Sequence, residues 1–203
     1  KLLLGVLFLA CCAFAVSQAQ NSPQAPKEFR VLFNTTKGVA LVKVVREWSP
    51  YGVDRFYDLV KHSYYNQNGL FRVIRTPKPF VVQWGINGNP AISSHWNTQI
   101  PNDPVVKSNT RGFLSYAADM DSNNKACCRT TQIYVNYGDN SRLDAMGFAP
   151  FAYVEKGMEV LDALYGGYGE GVDQDQLYKL GNAYLKSNFP LLDYMISMRI
   201  VPE

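Results

Sequence analysis

Short β-rich runs separated by turn residues recur along the chain, and this pattern constrains the fold more than any other feature. Runs rich in Val, Ile, Phe and Tyr and bounded by Gly, Pro, Asn or Asp predict β-strands. The sequence contains eight of them, at Phe29–Phe33, Val39–Val45, Leu70–Ile74, Phe80–Trp84, Gly112–Ala117, Thr131–Asn136, Phe148–Val154 and Tyr194–Val201. Gly38 supplies the turn of a predicted hairpin between the first two runs. The chain is therefore expected to be mainly β.

Two segments have helical periodicity instead. Ser49 followed by Pro50 is typical of a helix start, and apolar residues recur from Val53 at i, i+3, i+4 and i+7. A second helix is predicted over Gly157–Tyr165, and the Gly-rich, acidic stretch Tyr165–Asn182 is predicted to be an excursion from the sheet. Many short strands with two isolated helices favour a closed antiparallel barrel with helices over its ends, although the pattern alone leaves the topology open.

The first nineteen residues have the composition of a secretory signal peptide. Lys1 precedes an apolar and small run, Leu2–Val16, and Ser17-Gln18-Ala19 supplies the small residues of a cleavage site. This run is shorter than the ~20 residues that a membrane-spanning helix needs. We therefore expect cleavage after Ala19 and no stable membrane span, with a membrane-surface anchor as the alternative if the leader is retained.

This interpretation divides the chain into three parts: a signal peptide over 1–19, a flexible lead-in over 20–28 and one domain over 29–203. It also predicts the secretory route. The protein would then be secreted or lumenal, or periplasmic if the source is a bacterium.

Charge and composition exclude several classes of function. The formal net charge is only +3, and Lys and Arg form no cluster, which argues against a nucleic-acid binder. The only histidines, His62 and His95, have no metal-ligand spacing, and no G-x-S-x-G nucleophile motif occurs. We expect neither a metal nor a cofactor.

Six segments, taken in order, carry a family resemblance: Leu70–Ile74, Phe80–Gly85, Gly112–Ala118, Thr130–Asn136, Asn140–Phe151 and Val154–Met158. In this order and spacing they closely resemble a cyclophilin-type peptidyl-prolyl cis–trans isomerase, from about Phe29 to Val201. The resemblance implies a closed eight-stranded antiparallel barrel capped by two α-helices, with an active groove on one outer face. It also implies that the chain isomerises X–Pro bonds of client polypeptides and so assists their folding.

The family's motifs place roles on individual residues. The arginine of F-H-R-[IV]-I corresponds to Arg72, the proline-pocket aromatic of P-G-F-[MV]-x-Q to Phe80, and the substrate-carbonyl binder to Gln83. These three are the expected catalytic residues. The expected substrate-binding residues are Val81, Ala117, Gln132, Tyr134, Leu143 and Phe148, the last standing where many members have His.

The chemistry of an X–Pro bond explains why these residue types suffice. The barrier of ~18–20 kcal/mol comes from the partial double-bond character of the amide. The cis and trans forms differ by only ~0.5–1 kcal/mol, so the reaction needs no nucleophile and no net proton transfer. A guanidinium that donates to the prolyl nitrogen would stabilise the twisted transition state while an apolar pocket holds the ring.

Several departures from the family pattern bear on activity. Phe71 replaces His, Arg75–Pro79 lengthens the link to Phe80, and Arg142 stands where some members have the Trp or His associated with cyclosporin binding. They predict weak or absent cyclosporin binding and reduced activity. The alternative function is a low-activity or inactive binding module, a subunit of a larger assembly that grips a proline-containing partner segment.

Two further features invite modification. The adjacent Cys127 and Cys128 are expected in an exposed loop beside the groove, either free or joined by a disulfide, and a redox response of this pair is a third hypothesis for the function. Asn34 belongs to the only N-x-[ST] sequon and is a candidate glycosylation site, with an unmodified Asn as the alternative.

Overall fold

The computed structural model describes residues 24–202. The expected signal peptide and its cleavage site therefore lie outside the described residues. The described part of the expected lead-in is attached to the domain, because Ala25 is buried and its N–H donates to Asp54 Oδ1 at 2.9 Å. No helix within 24–202 is long and apolar enough to cross a membrane.

Eleven strands occur in this part of the chain. They are β1 (Glu28–Thr35), β2 (Gly38–Val45), β3 (Asn68–Gly69), β4 (Arg72–Val73), β5 (Val81–Trp84), β6 (Phe113–Tyr116), β7 (Asp119–Met120), β8 (Ala126–Cys127), β9 (Ile133–Asn136), β10 (Pro150–Lys156) and β11 (Tyr194–Val201). The helices are α1 (Pro50–Lys61), α2 (Pro90–Trp96), α3 (Met158–Asp162), α4 (Gln174–Leu180) and α5 (Asn182–Asn188), with 3-10 turns at Arg46–Trp48 and Ser141–Leu143.

Nine of the strands form one antiparallel sheet in the order β3-β11-β1-β2-β10-β6-β9-β5-β4, and β7 pairs with β8 separately. The mainly β prediction is confirmed, but the closed eight-stranded barrel is wrong. The two edge strands, β3 and β4, are separated along the chain by only Leu70 and Phe71, so the sheet must curl strongly to bring its edges together. It stays open because Phe71 packs into a separate apolar cluster and Leu70 N–H bonds to Asp193 O at 2.9 Å, so neither residue pairs the two edges.

Side-chain alternation along the strands separates the core from the groove. Val82 and Trp84 of β5 lie in the main hydrophobic core, whereas Val81 of the same strand belongs to a small apolar cluster on the other face. Helix α1 buries its apolar stripe in the main core, where Phe56 meets Phe151 of β10 with ring centroids 5.0 Å apart.

The prediction of only two helices is also wrong. The Gly-rich excursion contains α4, whose start is capped by Asp173 accepting from Gln176 N–H at 3.1 Å, and α5 follows it directly. Leu177 and Leu185 of these helices bury their side chains with Phe71 in the second apolar cluster. The excursion therefore packs against the β3–β4 edge of the sheet, beside the groove.

Candidate functional site

One row of cross-strand neighbours forms the floor of a groove on the outer face of the sheet. Arg72 on β4 lies opposite Gln83 on β5, Gln83 lies opposite Tyr134 on β9, and Tyr134 lies opposite Ser115 on β6. Ala117 follows β6, and its N–H donates to Gln132 O at 3.0 Å. Because directly opposite residues in an antiparallel sheet have adjacent side chains, the register itself collects these groups.

The groove has a volume of about 590 Å³, and all nine residues that the sequence predicted for the site line it. They are Arg72, Phe80, Val81, Gln83, Ala117, Gln132, Tyr134, Leu143 and Phe148. The structure therefore brings the expected residues together, and their individual roles stay predictions.

A chain of polar side chains runs through the groove. Arg72 Nη1 donates to Gln83 Oε1 at 3.0 Å, and Gln83 Nε2 donates to Gln132 Oε1 at 2.7 Å. The amide of Gln83 can face only this way, because a guanidinium has donors and no acceptor. Gln132 Nε2 then donates to the Tyr178 hydroxyl at 3.1 Å.

The other edge of the Arg72 guanidinium is held by Glu170. Arg72 Nε donates to Glu170 Oε1 at 3.0 Å, and Nη2 bonds to the same oxygen. These contacts and the bond to Gln83 use three of the five guanidinium N–H groups. The other two, one on each terminal nitrogen, have no hydrogen-bond partner within 24–202.

Beside this polar chain lies an apolar pocket. Val81, Tyr134 and Leu143 are buried, and Phe80, Ala117, Met146 and Phe148 pack against them. Burial raises the pKa of the Tyr134 hydroxyl, which donates to Asn109 Oδ1 at 2.9 Å and so stays neutral. The pocket is thus uncharged and shaped for a small apolar group.

Phe80 forms the boundary between the pocket and two cations. The Cζ of Arg72 lies 5.3 Å from its ring centroid, and that of Arg142 lies 5.0 Å away. The longer link of Arg75–Pro79 does not separate Arg72 from the pocket, because Phe80 N–H bonds to Ile74 O and Ile74 N–H bonds to Val81 O, both at 2.9 Å. The extra residues form a loop beyond these bonds.

Sequence reasoning missed one wall of the groove. Gln174, Asp175 and Tyr178 of the excursion line it, and Glu170 contacts Arg72. The only available signal was the Asp173 cap followed by Leu177 in an otherwise Gly-rich stretch, and no local pattern says against which strand such a helix packs. Among the described residues, no group of three or more His, Cys, Asp or Glu side chains could hold a metal ion.

The two cysteines lie at the rim. Both are free thiols, their Sγ atoms are 2.8 Å apart, and Cys128 is exposed and lines the groove. The hydrogen bond between the thiols is the main cause that raises the pKa of Cys127 to about 11. Cys127 is therefore a protonated and weakly nucleophilic thiol near neutral pH.

Comparison with known proteins points to one family. Residues 30–180 match the family model described as cyclophilin type peptidyl-prolyl cis-trans isomerase/CLD. Peptidyl-prolyl cis-trans isomerase A of Dickeya dadantii is 30% identical in an alignment of 168 residues that covers 77% of this chain and 82% of that protein. Peptidyl-prolyl cis-trans isomerase B of Escherichia coli is 26% identical in an alignment of 149 residues that covers 67% of this chain and 84% of the relative.

A solved structure agrees at the level of the fold. The crystal structure of a cyclophilin type peptidyl-prolyl cis-trans isomerase from Cryptosporidium parvum superposes with a TM-score of 0.60 and 19% sequence identity. The match covers 87% of this chain and 99% of that one.

Proposed function

The chain belongs to the cyclophilin-type peptidyl-prolyl cis–trans isomerase family, and we propose that it isomerises X–Pro bonds in the groove between β4 and β6. The observation that carries this assignment of the site is the Arg72 guanidinium. It is held on two edges, with two N–H groups left over, next to an apolar pocket that can take a proline ring.

Each part of the groove meets one need of the reaction. The proline ring enters the pocket beside Phe80, so the prolyl nitrogen faces the remaining N–H groups of Arg72. Donation to that nitrogen favours its pyramidal state, in which the C–N bond has lost its double-bond character. This interaction is weak in the planar ground state and strong in the twisted state, which is what lowers a barrier.

Gln83 completes the arrangement. One N–H of its side-chain amide is used by Gln132, and the second has no hydrogen-bond partner within 24–202. We assign this second N–H to the carbonyl oxygen of the residue before proline. The amide is fixed between Arg72 and Gln132, so it can hold one side of the bond while the other side turns.

The alternative, a binding module without turnover, is not favoured. A module that only binds proline needs the apolar pocket. It does not need an arginine that is held by hydrogen bonds and keeps two N–H groups unused. The departures from the family pattern around the groove support only a reduced rate of isomerisation. They include the exposed Arg142 over the Phe80 ring and the longer link before Phe80.

An isomerase assay on a short proline peptide, with the described domain as the enzyme, tests the proposal. The wild-type protein should accelerate cis–trans exchange, and Phe80→Ala should lower both turnover and peptide affinity by opening the pocket. Tyr153→Phe, which alters an aromatic residue away from the groove, should change neither. Peptide binding through Phe80 without any acceleration would instead establish the binding module.

We also propose that the chain follows the secretory route, which the composition of residues 1–19 supports. The mass of the protein from its natural source should then correspond to a chain that starts at Gln20, whereas a mass that includes Lys1–Ala19 would indicate an anchor.

Passage through a eukaryotic secretory pathway should add a glycan at Asn34, which lies partly exposed beside the β1–β2 turn. Glycosidase treatment that leaves this mass unchanged would contradict the glycan.

A further inference from the structure

The Gly-rich excursion contacts both ends of the polar chain in the groove. At one end Glu170 accepts two hydrogen bonds from Arg72, and at the other the Tyr178 hydroxyl accepts from Gln132. The continuous order is therefore Glu170, Arg72, Gln83, Gln132, Tyr178. Both terminal residues come from one segment, although Arg72 and Gln83 between them belong to the sheet and Gln132 directly precedes β9.

An arginine side chain on a two-residue edge strand needs such support. Its side chain has many rotamers, and β4 pairs only with β5. Gln83 restrains the guanidinium from one edge, and Glu170 restrains the Nε edge. With both contacts the plane of the guanidinium is fixed, and so is the direction of each unused N–H group.

The Arg72–Glu170 pair has little to do with the stability of the fold. The Glu170 side chain is 64% exposed and that of Arg72 is 28% exposed, and ion pairs in such settings add little stability. Removal of the Glu170 carboxylate should therefore change where the guanidinium points and leave the domain folded.

We propose that Glu170 is a positioning residue for the isomerase reaction and that Tyr178 has the same role for Gln132. Glu170 sets the orientation in which Arg72 meets the prolyl nitrogen. Tyr178 orients the Gln132 amide, which in turn orients Gln83. This inference rests on the proposed function of the groove and extends the site to a segment outside the sheet.

Kinetic comparison of variants in the described domain tests the proposal. Glu170→Ala should lower kcat/KM by about tenfold, mostly through kcat, because misdirected catalytic groups lose rate more than ground-state binding. Glu170→Gln should recover part of the loss, since its amide oxygen can still accept from Arg72. Tyr178→Phe should cause a smaller loss of kcat, because only the indirect contact to Gln83 is removed.

Matched controls exist elsewhere in the chain. Glu155 pairs with Arg30 through the same two guanidinium nitrogens, at 2.7 and 3.0 Å, outside the groove. Glu155→Ala should leave kcat/KM unchanged. Tyr184→Phe removes a hydroxyl of the neighbouring helix α5 that accepts from Asp173 N–H, and it should also leave kcat/KM unchanged.

An NMR measurement separates this inference from the proposed function. Exchange of the Arg72 Nε–H with water should be slow in the wild type, faster in Glu170→Ala and unaltered in Glu155→Ala. Unchanged exchange, or unchanged or higher activity in Glu170→Ala, would overturn the positioning role while the isomerase function stands. Absence of isomerisation in the wild-type protein would overturn the proposed function, and the positioning role with it.

Discussion

The chemistry of the groove depends on how the N–H groups of one guanidinium are distributed. Arg72 uses three of them on Gln83 and Glu170, and the remaining two have no hydrogen-bond partner within 24–202. A lysine at the same position could not divide its contacts in this way, because an ammonium has no rigid plane. For this residue, the proposed function depends on the fixed orientation of the guanidinium N–H groups as well as on their charge.

The vicinal thiols give a prediction at the same scale. In the chain without residues 1–19, an aromatic disulfide reagent should react with two thiols, quickly at the exposed Cys128 and slowly at Cys127. Cys127 reacts slowly because its pKa is raised to about 11, so little thiolate is present near neutral pH. Cys128→Ala removes the hydrogen bond that raises this pKa and should speed the reaction of Cys127. Two unreactive thiols in the native wild-type protein would contradict the exposed geometry.

At the element scale, the N-terminus of α1 is capped by the side chain of Asp103, which is distant in sequence, and not by the hydroxyl of Ser49. The sequence predicted Ser49 as the cap, yet its hydroxyl donates to Asp103 Oδ2 at 2.6 Å instead. Asp103 itself accepts from the N–H groups of Tyr51 and Gly52, at 3.1 and 2.9 Å. It also forms a buried ion pair with Arg129 at 2.6 Å, which connects the helix to the residue that directly follows Cys128.

This network predicts a large effect of one substitution. Asp103→Asn should lower the free energy of unfolding by about 3–5 kcal/mol, because it leaves the Arg129 charge buried without a counter-ion. Urea denaturation measures the change, and the exposed Glu47→Gln serves as the control that should leave the midpoint in place. A change below about 1 kcal/mol would show that the buried pair is not what holds α1.

Local sequence signals predicted those elements for which the signals of both the element and its boundaries lie within one short segment. The hairpin of β1 and β2 is an example, since the alternation of β1 and the turn residue Gly38 both lie within it. Helix α2 was missed although Asn89 caps it by accepting from Ala91 N–H at 3.0 Å, because its seven residues bury only Ser93 and show no apolar stripe. The partner surface of α4 could not be predicted, since its buried Leu177 packs with Phe71, more than a hundred positions away.

At the scale of the whole molecule, the open sheet and the excursion act together. The sheet brings Arg72, Gln83 and Tyr134 side by side through strand register, which the motif order of the sequence was sufficient to predict. The excursion closes the side of the groove at the sheet edge and contributes Glu170 and Tyr178, which no motif contained. The predicted site was therefore the part built by the sheet and by the residues that flank its strands, together with Leu143.

The groove as a whole also predicts a flat pH profile. Burial raises the pKa of Tyr134 and, to a lesser degree, that of Tyr178. A raised pKa keeps the proton on each hydroxyl at neutral pH, so both stay neutral below about pH 10. Since isomerisation transfers no net proton, kcat/KM should be constant from about pH 6 to 9. A bell-shaped profile with an inflection near neutrality would show that a titrating group takes part.

The central claim is that Arg72 stabilises the twisted X–Pro bond, and the kcat/KM of Arg72→Ala tests it most directly. Loss of a charged donor to the transition state should cost about 2–4 kcal/mol, or roughly one hundredfold or more in rate. Arg72→Lys should recover only part of this loss, and both variants should keep the wild-type unfolding midpoint because the side chain lies outside the core. An Arg72→Ala protein that is folded and isomerises the peptide at the wild-type rate would contradict the account.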